Sequence, residues 1–289
     1  MKILITGGSG FIARNIFEQL QSKYEITAVG SRELDLLDPD RVYDYFLKND
    51  FDVVIHTATY DAAPKHSVKD PAKVLENNLK MFFNLVRAKK HFGKMIYFGS
   101  GAEFGRDFWK PKMEEGYFDS HVPSDQYGFS KYLMTKYVLL SKGIYNLRLF
   151  GVFGKYDDWR TRVIPNICYL AITNQEIVIE QNKIYDFLYI DDLVKIVDWF
   201  IRNEPKRKIY NVCSGTAIDF KSIGEQLIKI SKKDLTLKIK TDDLGREYSG
   251  NNKSLLSELR DFKFTPINES LRFLYEWYDV NKNIFNEVV

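Results

Sequence analysis

Apolar positions along the chain keep two alternating rhythms. Compact, β-branched runs at residues 2–6, 25–29, 52–56, 94–98 and 145–149 read as buried parallel strands. Between them, apolar residues spaced three and four apart predict helices at 11–22, 39–49, 71–91 and 126–142. Asp38-Pro39 adds an N-cap and a proline at the first helical position. Such alternation predicts a doubly wound parallel sheet with right-handed crossovers.

The pattern changes beyond Gly154. A helix over 161–174, short strands at 176–179 and 184–188, and a helix over 191–202 precede a strand at 208–212 that rejoins the main sheet. A helix over 220–231, an alternating strand over 235–240 and helices to Tyr278 complete a smaller lobe. The expected class is α/β, a Rossmann-type doubly wound sheet with a C-terminal α/β substrate lobe. The sheet domain takes 1–160 and about 186–214; the lobe takes about 161–185 and 215–289. A cleft between them is the expected ligand site.

Bulk composition narrows the partners. Of 289 residues 45% are apolar, and 42 basic against 39 acidic side chains leave a net charge of +3. That balance argues against a nucleic-acid partner, and the Lys206-Arg207-Lys208 and Lys232-Lys233 clusters read as solvated surface. No apolar run reaches the ~18–20 residues of a spanning helix, and the first one stops at Gly7, before a leader core could form. Cys168 and Cys213 have neither metal nor redox spacing. A cytoplasmic protein with structural thiols and no membrane contact is expected. His66 and His121 lack ligand partners at useful spacing, so no metal is assigned.

Between the first strand and the first helix lies Gly7-Gly8-Ser9-Gly10-Phe11-Ile12-Ala13. Gly7 suits the tight turn, Gly10 lets backbone approach a pyrophosphate, and Ala13 is small enough for helix–strand packing. The helix start then offers free N–H groups and a positive dipole end. This strand–turn–helix context predicts dinucleotide binding. At the second strand's end the chain reads Val29-Gly30-Ser31-Arg32-Glu33, with no acid directly there for a ribose 2′-hydroxyl. Ser31 and Arg32 suit the 2′-phosphate of NADP, Arg32 as a charge-assisted donor. NADPH/NADP is therefore favoured over NAD, for which Glu33 would supply the acid.

Tyr127 and Lys131 stand four apart on a predicted helix and share a face. A tyrosine with pKa ~10 is a poor acid–base group at neutral pH; a cation one turn away, helped by oxidised nicotinamide, is expected to lower that value. Upstream, a strand ends in Phe98-Gly99-Ser100-Gly101-Ala102-Glu103, at the sheet edge where such folds keep their sites.

With TGGSGFIA, DLLD at 35–38, HTAT at 56–59, Asn78, the Ser100 segment, YGFSK, RLFGVFG, DFLYIDDL and YNVCSG in order, the chain resembles the extended short-chain dehydrogenase/reductases, the NAD(P)-dependent sugar epimerase/dehydratase group. The resemblance implies that Ser100 hydrogen-bonds the reacting oxygen, Tyr127 transfers its proton and Lys131 holds the nicotinamide ribose. It adds Ser9, Phe11, Ile12, Asp35, Leu36, Thr57, Ala58 and Asn78 to the coenzyme contacts, and makes His56 structural. It also implies a homodimer, formed through a four-helix bundle of the 71–91 and 126–142 helices.

Departures from the family pattern select the reaction. Dehydratases of the group follow the catalytic Ser/Thr with Asp-Glu, where this chain has Gly101 and Ala102. Glu103, one step on, would point to the wrong side of an extended segment. The stretch Ser31–Asp38 is similar to that of the GDP-fucose-synthase-like 4-keto-sugar reductases. Their proton-exchanging Cys and His fall here on Ala102, which cannot exchange protons, and Arg162, which stays protonated. The expected activity is an NADPH-dependent reduction of a nucleotide-diphospho-4-keto sugar, GDP-linked by preference, without epimerisation. A redox-neutral NAD-dependent 4-epimerase and a non-catalytic dinucleotide sensor are the alternatives. Gly101, Ala102 and Glu103 are assigned to the substrate side of the site, with Gly151 and Tyr185, which replace family Asn and Arg residues there. Arg160, Arg162, Lys183 and Arg246 are candidate phosphate partners. Phe108, Trp109, Tyr117 and Phe118 in the 101–125 loop either cover the sugar or pack between the lobes.

Overall fold

A computed structural model describes residues 1–62 and 67–286. The chain runs β1 (Lys2–Thr6), α1 (Phe11–Leu20), β2 (Glu25–Val29), α2 (Pro39–Lys48), β3 (Phe51–His56), α3 (Val74–Arg87), β4 (Phe92–Ser100), α4 (Gln126–Leu140) and β5 (Ile144–Leu149). It continues β6 (Gly151–Phe153), α5 (Val163–Ile172), β7 (Ile177–Gln181), β8 (Ile184–Tyr189), α6 (Ile190–Arg202) and β9 (Ile209–Val212). The remainder is β10 (Ala217–Asp219), α7 (Phe220–Ser231), β11 (Leu237–Thr241), α8 (Lys253–Glu258) and α9 (Ile267–Val280).

Six parallel strands form the main sheet in the order β2-β1-β3-β4-β5-β9. The two-residue period of β1 divides its side chains between two cores. Ile3 and Ile5 pack with Ile16, Leu193 and Val197 from α1 and α6, whereas Leu4 packs with Val42, Phe82 and Val138 from α2, α3 and α4. Helices on both faces thus bury the sheet completely, as an all-parallel sheet requires. The order reverses between β1 and β3, which opens a crevice at their carboxyl ends.

A third core gathers Ile167, Ile223, Leu227, Leu271 and Leu274 from α5, α7 and α9. Beside it lie a two-stranded sheet, β11-β7, and a three-stranded sheet, β10-β8-β6. The strands β6 and β10 were not expected from the sequence, because three residues are too few to show an alternation. The expected helix over 71–91 is interrupted: 3₁₀ turns at Pro71–Lys73 and Lys89–His91 flank α3. Among the described residues no helix is long and apolar enough to cross a membrane.

Candidate active site

The β1–α1 turn is built for close approach. Gly7 has φ +74°, and a Cβ there would stand 2.8 Å from the Ala58 Cα at the end of β3. The Gly10 N–H donates to the Gly7 carbonyl at 2.8 Å, and Gly10 caps α1 without a side chain, leaving first-turn N–H groups for an anion. Phe11 and Ile12 turn their side chains to the core around buried Ala13, so their contribution to a phosphate site is backbone; Ser9 is exposed on the turn. The Thr57 hydroxyl donates to the Thr6 carbonyl at 2.6 Å. His56, expected to be structural, is buried against the Thr6 hydroxyl at 2.8 Å, and burial with nearby Lys131 pushes its pKa down to about 3.

Asn78 occupies a supporting position. Its side chain accepts from the Tyr60 N–H at 2.8 Å and donates to the carbonyls of Tyr60 and Val74 at 2.9 and 2.8 Å. Buried and bonded to protein groups, it braces the 57–60 loop. Leu36 is buried in the second core, and Asp35 accepts from the Leu37 N–H at 2.9 Å.

At the end of β2, Ser31 and Arg32 are exposed. The Glu33 carboxylate turns back and accepts from the Gly30 N–H at 2.9 Å. Arg41, which the sequence reading passed over, donates to the carbonyls of Arg32 and Glu33 at 3.3 and 3.1 Å and braces the same turn.

Ser100 ends β4 and opens a 3₁₀ turn, Gly101–Phe104, which it caps by accepting from the Ala102 N–H at 3.2 Å. Asp125 caps α4 through the Gly128 N–H at 2.9 Å. Gly128 lets α4 lie on that turn, since a Cβ there would stand 2.7 Å from the Ala102 carbonyl oxygen. Tyr127 is thereby brought near Ser100, whose hydroxyl favours the phenolate. Lys131 donates to the Phe98 carbonyl at 2.8 Å, with its ammonium 4.8 Å from the Tyr97 ring and 5.6 Å from the Tyr127 ring.

The electrostatics correct one expectation. The Tyr127 phenol is pushed up, chiefly by burial and then by the Asp61 carboxylate; Ser100, Arg162 and Arg106 pull it partway back. The Lys131 ammonium is engaged by a carbonyl on the β4 side, and burial lowers its own pKa to about 8. A neutral phenol is the form that can donate a proton.

Glu103 is a second correction. The segment is a 3₁₀ turn, not an extended strand, and it turns Glu103 into the interior. There it pairs with buried Arg148 and accepts from the Thr135 hydroxyl, unavailable to a substrate. Ala102 is buried as well, and Gly151 sits on β6 against Phe187. Tyr185 is held edge-on to Trp109, Phe220 and Tyr248. Trp109, Tyr117 and Phe118 pack on the Phe104, Phe150 and Tyr248 cluster, while exposed Phe108 stacks on His121 at 3.7 Å. The 101–125 loop is thus mainly packing. His66 lies outside the described residues.

Among the candidate phosphate partners, Arg162 lies 3.8 Å from Asp61 and acts on Tyr127. Arg160 packs over the Trp159 ring at 4.4 Å, and exposed Arg246 donates to the Asp107 carbonyl. Lys183, between β7 and β8, packs its stem along Gly245. The sequence reading missed Asp61 and Arg106, whose charges act on Tyr127, and Tyr248, whose ring lies over Gly101; none belongs to a short motif. Asp186, from DFLYIDDL, accepts from the N–H groups of Ser214 and Gly215 at 2.8 Å each and so ties that motif to YNVCSG.

Comparison with known proteins gives the family. The model of the NAD dependent epimerase/dehydratase family matches residues 3–213. The GDP-L-colitose synthase of Yersinia pseudotuberculosis is 26% identical over 227 residues, covering 71% of this chain and 74% of that protein. The GDP-6-deoxy-D-talose 4-dehydrogenase of Aggregatibacter actinomycetemcomitans is 25% identical over 294 aligned positions, 96% and 97% of the two chains. Among solved structures, the UDP-glucose 4-epimerase of Thermotoga maritima with UDP-glucose superposes with a TM-score of 0.83 at 19% identity, covering 98% of this chain and all of the other. The glycine turn, the serine–tyrosine–lysine group and a family match over most of the chain lead to one conclusion: this protein belongs to the NAD dependent epimerase/dehydratase family and is an NAD(P)-dependent, oxidoreductase-type enzyme of nucleotide sugars.

Proposed function

We propose that this enzyme reduces the 4-keto group of a nucleotide-diphospho sugar, GDP-linked by preference, with NADPH and without epimerisation. The observation that carries the proposal is the pair Gly101 and Ala102 beside Ser100 and Tyr127. Neither can take a proton from the sugar ring, which leaves the hydroxyl groups at the reacting oxygen as the proton-handling groups. Bound NADPH would supply the hydride to the carbonyl carbon. Tyr127, neutral in this environment, gives its proton to the developing alkoxide, and Ser100 donates a hydrogen bond to the same oxygen. Lys131 presents a partly desolvated ammonium to the nicotinamide ribose. Arg162 and Arg106 are the cations closest in effect to Tyr127, and they suit the sugar diphosphate.

Arg32 and Ser31 are assigned to the coenzyme 2′-phosphate. A second reading, NAD in a 4-epimerase, draws on Glu33, whose carboxylate bonds to Gly30 at the strand end where a ribose acid works. The substrate lobe is assigned to 161–185 and 215–289, and α3 and α4 to a homodimer interface.

The test follows reduced-nicotinamide absorbance with 4-keto sugars linked to GDP, dTDP, UDP and CDP, NADPH against NADH, and product mass. Coenzyme consumption with a gain of two hydrogens supports the reductase. With the matching 4-hydroxyl sugars, a C4-inverted product without net coenzyme consumption assigns the epimerase instead, and neither signal with any sugar overturns both.

A further inference from the structure

Lys131 and Thr135 stand four apart on α4 and share a buried face. The Lys131 ammonium donates to the Phe98 carbonyl at 2.8 Å. The N–H of that same peptide unit, on Gly99, donates to Asn146 Oδ1 at 3.0 Å. Gly99 permits the approach, since a Cβ there would stand 2.3 Å from the Asn146 oxygen. The Asn146 Nδ2 donates to the Thr135 hydroxyl at 2.7 Å, and that hydroxyl donates to Oε2 of Glu103. Arg148 takes the other carboxylate oxygen, Oε1.

Donor chemistry fixes the direction of this chain. A backbone N–H can only donate, so Asn146 must turn its oxygen to Gly99 and its NH2 to Thr135. Thr135, having accepted from Asn146, has its one proton left for the carboxylate. Every donor therefore points the same way, from Lys131 toward Glu103. In a buried site, hydrogen bonds ordered head to tail polarise one another. The cation at one end faces an anion at the other.

We infer that Thr135 and Asn146 are positioning residues for Lys131: through four hydrogen bonds in series they pass the pull of the Glu103 carboxylate to the Phe98 carbonyl, which holds the Lys131 ammonium charged and in place. The inference deepens the reduction proposed above and rests on that reading for its kinetic readout alone. Of the other titratable groups that act on Lys131, burial keeps His56 on β3 neutral, and the Tyr97 and Tyr127 phenols keep their protons. Asp61, in the loop after β3, is the second carboxylate that favours the ammonium.

Thr135→Val keeps the shape and removes the hydroxyl, whereas Thr135→Ser keeps the hydroxyl. In protein carrying 15Nζ-lysine, with neither coenzyme nor substrate, the Lys131 signal is assigned with Lys131→Met and titrated around its midpoint of about 8. The midpoint should fall by about half a unit to one unit in Thr135→Val and stay in Thr135→Ser. The unaltered protein gives a second test that needs no variant to fold: the Gly99 and Asn146 amide protons should shift with the Lys131 midpoint. Equal midpoints in Thr135→Val and the unaltered protein overturn the inference, and so do amide protons that stay still while Lys131 titrates. With a 4-keto sugar, the alkaline fall of kcat/KM should move down with the midpoint in Thr135→Val alone. A displaced midpoint in a protein that reduces no 4-keto sugar would sink the proposed function and keep Thr135 and Asn146 in their role.

Discussion

The Glu103 carboxylate and the Arg148 guanidinium form an ion pair with both side chains fully buried, one turn beyond Ser100. Asn146 donates to Glu103 at 3.4 Å, Arg148 donates to Asn211 at 3.0 Å, and the Phe104 ring lies 4.3 Å from the guanidinium carbon. Removing one partner strands the other charge in the interior. Glu103→Val or Arg148→Met alone should therefore cost about 3–5 kcal/mol, whereas the double variant should recover most of it. Urea denaturation of the four proteins checks this; single variants that each lose under about 1 kcal/mol would show the pair to be dispensable.

Asp157 predicts an unusual pH dependence. Burial, its largest influence, pushes its pKa from 3.8 up to about 7, and its Oδ2 has no partner. Between those values the folded protein holds a proton that the unfolded chain has released, so this group's contribution to stability falls as pH rises through that window. The cost is fully present above pH 7 and absent below about 3.8. Asp157→Asn should thus raise Tm at pH 8 by more than at pH 4. Equal changes at the two pH values would show that Asp157 titrates normally.

Tyr127→Phe should lower kcat by at least about 10²-fold, the usual worth of a positioned proton donor, with coenzyme binding nearly intact. Stopped-flow turnover and fluorescence titration of NADPH separate the two. Full activity in this variant would remove Tyr127 from the chemistry.

Arg32→Ala should raise KM for NADPH about tenfold and leave that for NADH within about twofold, the loss of a charge-assisted bond to phosphate. An unchanged NADPH:NADH ratio would favour Glu33 and a ribose hydroxyl instead.

Phe83 on α3 and Leu139 and Leu140 on α4 expose apolar surface, Leu140 by 88%. If α3 and α4 pair across a two-fold axis, Leu140→Asp should shift the protein from twice its 33.9 kDa chain mass toward that mass in sedimentation. A wild-type chain that sediments as a monomer removes the dimer.

Legibility in the sequence followed length and periodicity. The β1, β3 and β5 runs, the Asp38 cap and the Gly7 turn were readable because each imposes a local pattern that the fold retains. The turn at Gly101–Phe104 was not: nothing within 101–104 encodes that Glu103 would meet Arg148, 45 residues away, and so coil inward. Likewise nothing near Asn78 marks its bonds to the Tyr60 backbone, 18 residues upstream.

By itself, then, the sequence determined the alternating sheet and helices, the glycine turn and the serine, tyrosine and lysine, because spacing along one strand or one helix places those groups. Only the tertiary structure decided which charges act on Tyr127, that its phenol is pushed up rather than down, and that the Tyr248 ring comes to lie over Gly101. These depend on burial and on contacts between distant segments, where desolvation and charge–charge effects are set by neighbours in space rather than along the chain.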